Sequence, residues 1–98
     1  MMNYYLSLEA ENDLEEIWIF GLDNWGLKQA DDYHGQLISM CRYLSENPLL
    51  GKSQDYIAEG LRSYPCGSHR LFYMVSNDCI TVVRILHQSM DTERHIQN

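Results

Sequence analysis

Four residues, "DNWG" at 23–26, do most to limit how this chain can fold, because they alone separate two long segments patterned for helix. Upstream, Ala10, Leu14, Ile17, Trp18 and Leu22 recur on one helical face while Glu11, Asp13, Glu15 and Glu16 fall mostly on the others, which predicts an amphipathic helix over about residues 9–23. Downstream, Ala30, Tyr33, Leu37, Met40, Cys41 and Leu44 keep the same period and predict a second helix from about Leu27 to Asn47. Gly26 suits a left-handed helix end, and so short a break leaves the two helices only an antiparallel hairpin. Pro48 ends the second helix, since it biases Asn47 away from helical geometry. Ser7 is placed to cap the first, with Glu9, Glu11 and Asp13 in or near the first turn, where the helix dipole favours acids.

A helical hairpin needs a surface to bury its apolar stripes, and the remaining segments supply strands. "YYLSL" at 4–8 reads as a first strand, and "LLGKSQDYIAEG" at 49–60 reads as a connector with a glycine at each side. Three strand-like runs follow: "LRSYP" at 61–65, "HRLFYMVS" at 69–76 and "CITVVRILHQ" at 79–88. "PCGS" joins the first two, and "SNDC" joins the last two through Asn77 and Asp78, residues that tolerate the positive φ of a two-residue hairpin. The order is βααβββ, an α+β fold with the helical hairpin packed on a small, largely antiparallel sheet. A chain of 98 residues has material for one core, so residues 1–98 are expected to form a single domain. In the last two strands both alternating sets are largely apolar, for example Leu71, Tyr73 and Val75 against Phe72 and Met74, so both sheet faces need cover. Two helices cover one face, which makes a partner the expected cover for the other. The polar tail "MDTERHIQN" is too short to predict as an element.

Arg84 interrupts an otherwise apolar or threonine run within "ITVVRILHQSMD". Two residues from both Val82 and Leu86, it shares their side of a regular strand, so its charge must be paired or emerge at the sheet surface. Carboxylates nearby in sequence, such as Asp91 and Glu93, or an acidic segment of a partner, would serve.

Charge separates the classes of partner. The net charge is −7: residues 1–48 hold nine acids against Lys28 and Arg42, whereas residues 49–98 hold five acids and five bases. An acidic chain repels a phosphate backbone, so direct nucleic-acid binding is disfavoured and a protein partner favoured. The acidic outer face of the first helix reads as solvated, with mimicry of nucleic-acid charge as the sharper alternative. Cys41, Cys66 and Cys79 cannot all pair and lack C-x-x-C spacing, so they read as reduced thiols, with a catalytic thiol as the lesser reading. His34, His69, His87 and His95 show no ligand spacing and no G-x-S-x-G is present, so neither a metal, a cofactor nor a hydrolase site is expected. No basic n-region precedes Glu9 and no run of roughly 20 apolar residues occurs, which points to a cytoplasmic protein with no membrane segment. Trp18 shares the apolar face with Leu14 and Leu22 and reads as core, whereas Trp25, beside Gly26, is open to a partner.

Five stretches in order, "LSLEAENDLEEI", "WGLKQADDY", "LSENPLLGKS", "GLRSYPCGSHRLFY" and "VVRILHQSMD", resemble ParE toxins of the RelE/ParE toxin–antitoxin superfamily across nearly the whole chain. The resemblance implies a bacterial toxin bound and neutralised by a ParD-type antitoxin as a hetero-oligomer, with DNA gyrase as target and no covalent chemistry of its own. RelE-type relatives cut mRNA in the ribosome, which requires cations on the phosphate and an acid–base pair. The supply here is thin: an alternative catalytic set of Arg62, Arg70, Arg84 and His87, with His69 nearby, in a charge-neutral sheet half. On the gyrase reading Arg62, Arg70 and Arg84 receive the antitoxin, with Trp25 as a further anchor. A third reading is a relative without toxicity that serves only as the antitoxin's partner.

Overall fold

The computed structural model describes residues 3–96. The elements run β1 (Asn3–Leu6), α1 (Leu8–Trp25), α2 (Leu27–Glu46), β2 (Lys52–Ser53), β3 (Arg62–Cys66), β4 (His69–Ser76), β5 (Cys79–His87) and α3 (Thr92–Ile96). This is the expected α+β order with two additions, a two-residue edge strand inside the connector and a short helix inside the polar tail. Gln97 and Asn98 of that tail lie outside the described residues.

Local chemistry sets the helix ends. Ser7 holds extended geometry (φ −65°, ψ 164°) and its hydroxyl accepts the amide of Ala10, so the helix starts at Leu8 and the first strand stops at Leu6, short of the expected residue 8. Gly26 alone joins the two helices, at φ 94° and ψ 169°, a region open to glycine. The helices then approach so closely that a Cβ on Gly21 would sit 3.3 Å from that of Ala30.

The sheet order is β1-β5-β4-β3-β2, so the first strand pairs with the last, in parallel, from Asn3 opposite Cys79 to Leu6 opposite Val82. The other three pairings are antiparallel. The turn at Asn77 and Asp78 uses no positive φ, since only glycines adopt it among the described residues; the expectation of left-handed residues there is corrected. A bulge shifts the register of β4 on β5, so that Phe72 opposes Arg84 while Tyr73 opposes Val82. The bulge overturns the reading that Val82, Arg84 and Leu86 share a side. Val82 packs in the core beneath the helices with Leu37, Leu44 and Tyr73, whereas Leu86 packs on the far face with Leu61 and Phe72.

The far face is covered by the chain itself rather than by a partner. Ile57, Ala58 and Leu61 of the connector and Ile96 of α3 pack on Phe72 and Leu86. The connector is pinned by the buried Tyr73, whose hydroxyl donates to the Pro48 carbonyl and accepts the Gly51 amide, each at 2.8 Å.

Candidate functional site

The site grows from an unfinished sheet edge. β1 accompanies β5 only as far as Val82, and beyond it the backbone groups of β5 need other partners. Ser7 supplies two: its amide donates to Val82 O at 3.0 Å and its hydroxyl to Val83 O at 2.8 Å. Asp13, two turns into α1, supplies the next by accepting the amide of Ile85 at 3.0 Å. The same carboxylate accepts Arg84 Nε at 2.7 Å and Nη2 at 2.9 Å, a two-pronged pair, and Nη1 of Arg84 donates to the His95 carbonyl at 2.8 Å. The bond to Asp13 strengthens the arginine's hold on its proton against the opposing effect of burial. Arg84 is therefore paired within the chain, and its partner is Asp13; Asp91 and Glu93 form no ion pair among the described residues.

This staple forms one wall of an apolar groove of about 940 Å³. From α1 come Ile17, Phe20 and Trp25, the last two 63% exposed despite their size. Tyr33 and Ala30 enter from α2, and Met90 and His95 close the side formed by the C-terminal segment. Exposed aromatics beside an apolar hollow are a surface in want of cover.

Histidines line the end of the groove where β4 meets β5. His69 and His87 face each other across the strands edge to face, with ring centres 5.3 Å apart. His69 Nδ1 lies 2.7 Å from the Tyr33 hydroxyl, which also accepts the Ser68 amide at 3.0 Å and stands 3.2 Å from the Cys66 carbonyl. Burial lowers the basicity of His69, neighbouring His87 lowers it further, and Asp13 opposes both. Burial likewise raises the Tyr33 pKa, so its phenol stays protonated at neutral pH. His87 Nδ1 accepts the Ser89 amide at 3.1 Å.

Of the residues singled out from sequence, the groove gathers Trp25, Arg84, His69 and His87. Arg62 and Arg70 lie elsewhere. Arg62 stands opposite Tyr73 and donates Nη1 to Gly51 O at 2.6 Å, helping to hold the connector. Arg70 stands opposite Leu86, in the far-face row, and its Nε is buried without an acceptor among the described residues. Trp18 is half-buried rather than core, with its indole donating to Asp31 at 2.8 Å. Burial and neighbouring Cys66 push the Cys41 thiol up to about 12, and burial raises Cys66 too, so neither supplies a thiolate at neutral pH.

Asp13, Tyr33 and Phe20 were not read as site residues from the sequence. A signal existed for Asp13: it stands three residues after Ala10 and four before Ile17, an acid on the apolar stripe of its helix. Tyr33 shares the spacing of the core residues, so pattern alone could not distinguish it.

Residues 4–92 match the model of the family described as ParE toxin of type II toxin–antitoxin system, parDE. The chain belongs to the ParE toxin family. Relatives named Toxin ParE1 include proteins of Mycobacterium tuberculosis, 43% identical over 95% of this chain and 96% of theirs, and of Caulobacter vibrioides, 35% identical over 98% and 99%. A chain of a chromosomal ParDE TA system from P. aeruginosa shares the fold, with a TM-score of 0.76 at 20% identity over 89% of this chain and 96% of that one. A YoeB/ParE toxin from Agrobacterium tumefaciens does so at 0.61 and 18%, over 89% and 99%.

As a ParE toxin of a type II system the chain has an antitoxin as partner. Among the described residues no helix is long and apolar enough to cross a membrane. The ParE chain thus presents a single-cation groove, with its arginine held by an aspartate, beside two exposed aromatic side chains.

Proposed function

We propose that this ParE toxin acts by binding, inhibiting DNA gyrase without covalent chemistry, and that a ParD-type antitoxin neutralises it by seating apolar side chains in the groove of Phe20, Trp25 and Met90. The observation that carries this reading is the Arg84 and Asp13 pair. Cleavage of mRNA requires cations free to meet a phosphate, and the arginine nearest His87 in the groove is held by a carboxylate on one side and a carbonyl on the other. Arg62 and Arg70 do not line the groove, Arg70 standing in the far-face row opposite Leu86, which leaves the histidines without a phosphate clamp. Apolar side chains around exposed aromatics instead suit a protein segment.

The histidine pair with Tyr33 is the feature that would serve the alternative, a ribosome-dependent endoribonuclease, as an acid–base couple. One paired assay separates the two: plasmid supercoiling by gyrase with trapping of cleaved DNA, beside mRNA integrity in a reconstituted translation reaction, each with purified toxin. Lost supercoiling or trapped breaks, reversed by antitoxin, is the expected result. Cleaved mRNA with unaffected gyrase would overturn it, and growth unaffected by toxin expression without antitoxin would identify a chain that only binds its antitoxin.

A further inference from the structure

The face of the sheet turned away from the helices carries a small checkerboard. On β4 and β5, Arg70 opposes Leu86 and Phe72 opposes Arg84, so two guanidinium residues alternate with two apolar ones in adjoining register rows. Phe72 and Leu86 are almost wholly buried, but part of what covers them is the side chain of Ile96 on α3. Two attachments hold this helix to the sheet: Ile96 in the apolar cluster, and the His95 carbonyl on Nη1 of Arg84. Glu93, Arg94 and His95 are exposed, and neither Glu93 nor Arg94 forms an ion pair among the described residues. Five residues cannot hold a helix by themselves, because nucleation is unfavourable and few bonds follow it.

We propose that α3 is a displaceable strap closing a docking surface for an acidic peptide segment that carries a large apolar side chain. Lifting α3 removes the Ile96 part of the cover over Phe72 and Leu86 and, in the same step, the acceptor of Arg84 Nη1. The neighbouring Arg70 already lacks an acceptor for its buried Nε and has no carboxylate partner among the described residues. An apolar surface flanked by two N–H donors of positive groups is complementary to an apolar side chain next to a carboxylate. The segment and the strap compete for the same side chains, so binding requires α3 to leave. Met90 and His95 also line the groove on the near side, so the same movement widens it. This surface adjoins the groove proposed for the antitoxin and shares Arg84 and Leu86 with it, but its apolar centre is Phe72 on the far face, and the proposal stands whether the toxin poisons gyrase or cleaves mRNA.

Anilinonaphthalene sulfonate, an apolar anion, probes the surface directly on the full chain. Ile96→Ser is expected to raise its affinity about tenfold, and Arg70→Gln added to Ile96→Ser to remove that gain. Unchanged affinity in Ile96→Ser, or a gain insensitive to Arg70→Gln, overturns the proposal. Amide exchange on the unaltered protein tests the strap without relying on a variant that folds: amides 93–96 should exchange at least about a hundredfold faster than the hydrogen-bonded amides of β5. Protection of 93–96 equal to that of β5 would mean that α3 does not lift, and would equally overturn it.

Discussion

Arg84 and Asp13 stand 71 positions apart in the chain, yet the aspartate answers both the arginine and the amide of Ile85. Their side chains retain 23% and 11% exposure, so the pair lies between an exposed ion pair and a fully buried one. Asp13→Ala leaves a guanidinium and a strand amide without acceptors and is expected to lower stability by about 2–4 kcal/mol in urea denaturation. Asp13→Asn keeps an acceptor and should cost less; a loss below about 0.5 kcal/mol in the alanine variant would place the pair among inconsequential surface contacts. A second residue-scale effect comes from His69, whose pKa is lowered from 6.5 in the folded state. Above pH 6.5 both folded and unfolded chains hold it neutral, and as pH falls through 6.5 the unfolded chain takes up the proton first, so folding stability declines toward the lowered folded pKa. The drop in urea midpoint between pH 7.5 and 5.5 should therefore be smaller in His69→Gln than in the unaltered protein, and an equal drop would exclude His69 as its source. The sequence alone showed that Arg84 needed a partner. It did not show which, because the bulge that sets Arg84 on the opposite side of the strand from Val82 has no sequence mark, and Asp13 lies in a run of acids with Glu11, Glu15 and Glu16.

Elements were most legible where periodicity was long. The two helices were expected within about two residues of their observed ends, because apolar spacing, the Ser7 cap and Gly26 all agree. β2 and α3 escaped notice: Lys52–Ser53 is too short to show alternation, and Thr92–Ile96 is held by contacts made only after the sheet exists. Two tests address the joints between elements. Gly26→Ala puts a Cβ on a backbone at φ 94° and ψ 169°, and should cost about 1–3 kcal/mol in thermal or urea unfolding. Tyr73→Phe removes the hydroxyl that joins the Pro48 carbonyl to the Gly51 amide, and should cost about 1–3 kcal/mol while speeding amide exchange at Gly51. Normal exchange at Gly51 in that variant would show that the connector is held by other contacts.

For the whole molecule, the excess of acid lies on the helical half, and two large exposed aromatics, Phe20 and Trp25, stand in the groove. If the groove receives the antitoxin, Trp25→Ala should weaken that complex by about ten- to a hundredfold in calorimetry and leave the unfolding midpoint of the free toxin nearly unchanged. A variant that binds antitoxin normally would move the interface away from the end of α1. The sheet has another consequence, for the time at which a cell acquires this toxin. Asn3 pairs with Cys79 and Ser7 bonds to Val83, so the beginning of the chain completes its structure only against its last long strand. Contacts this distant form slowly, and during synthesis they cannot form until β5 has left the ribosome. A half-made chain has a helical hairpin and an unpaired first strand but no finished groove wall, so the groove takes shape only once β5 has emerged and paired with the first strand.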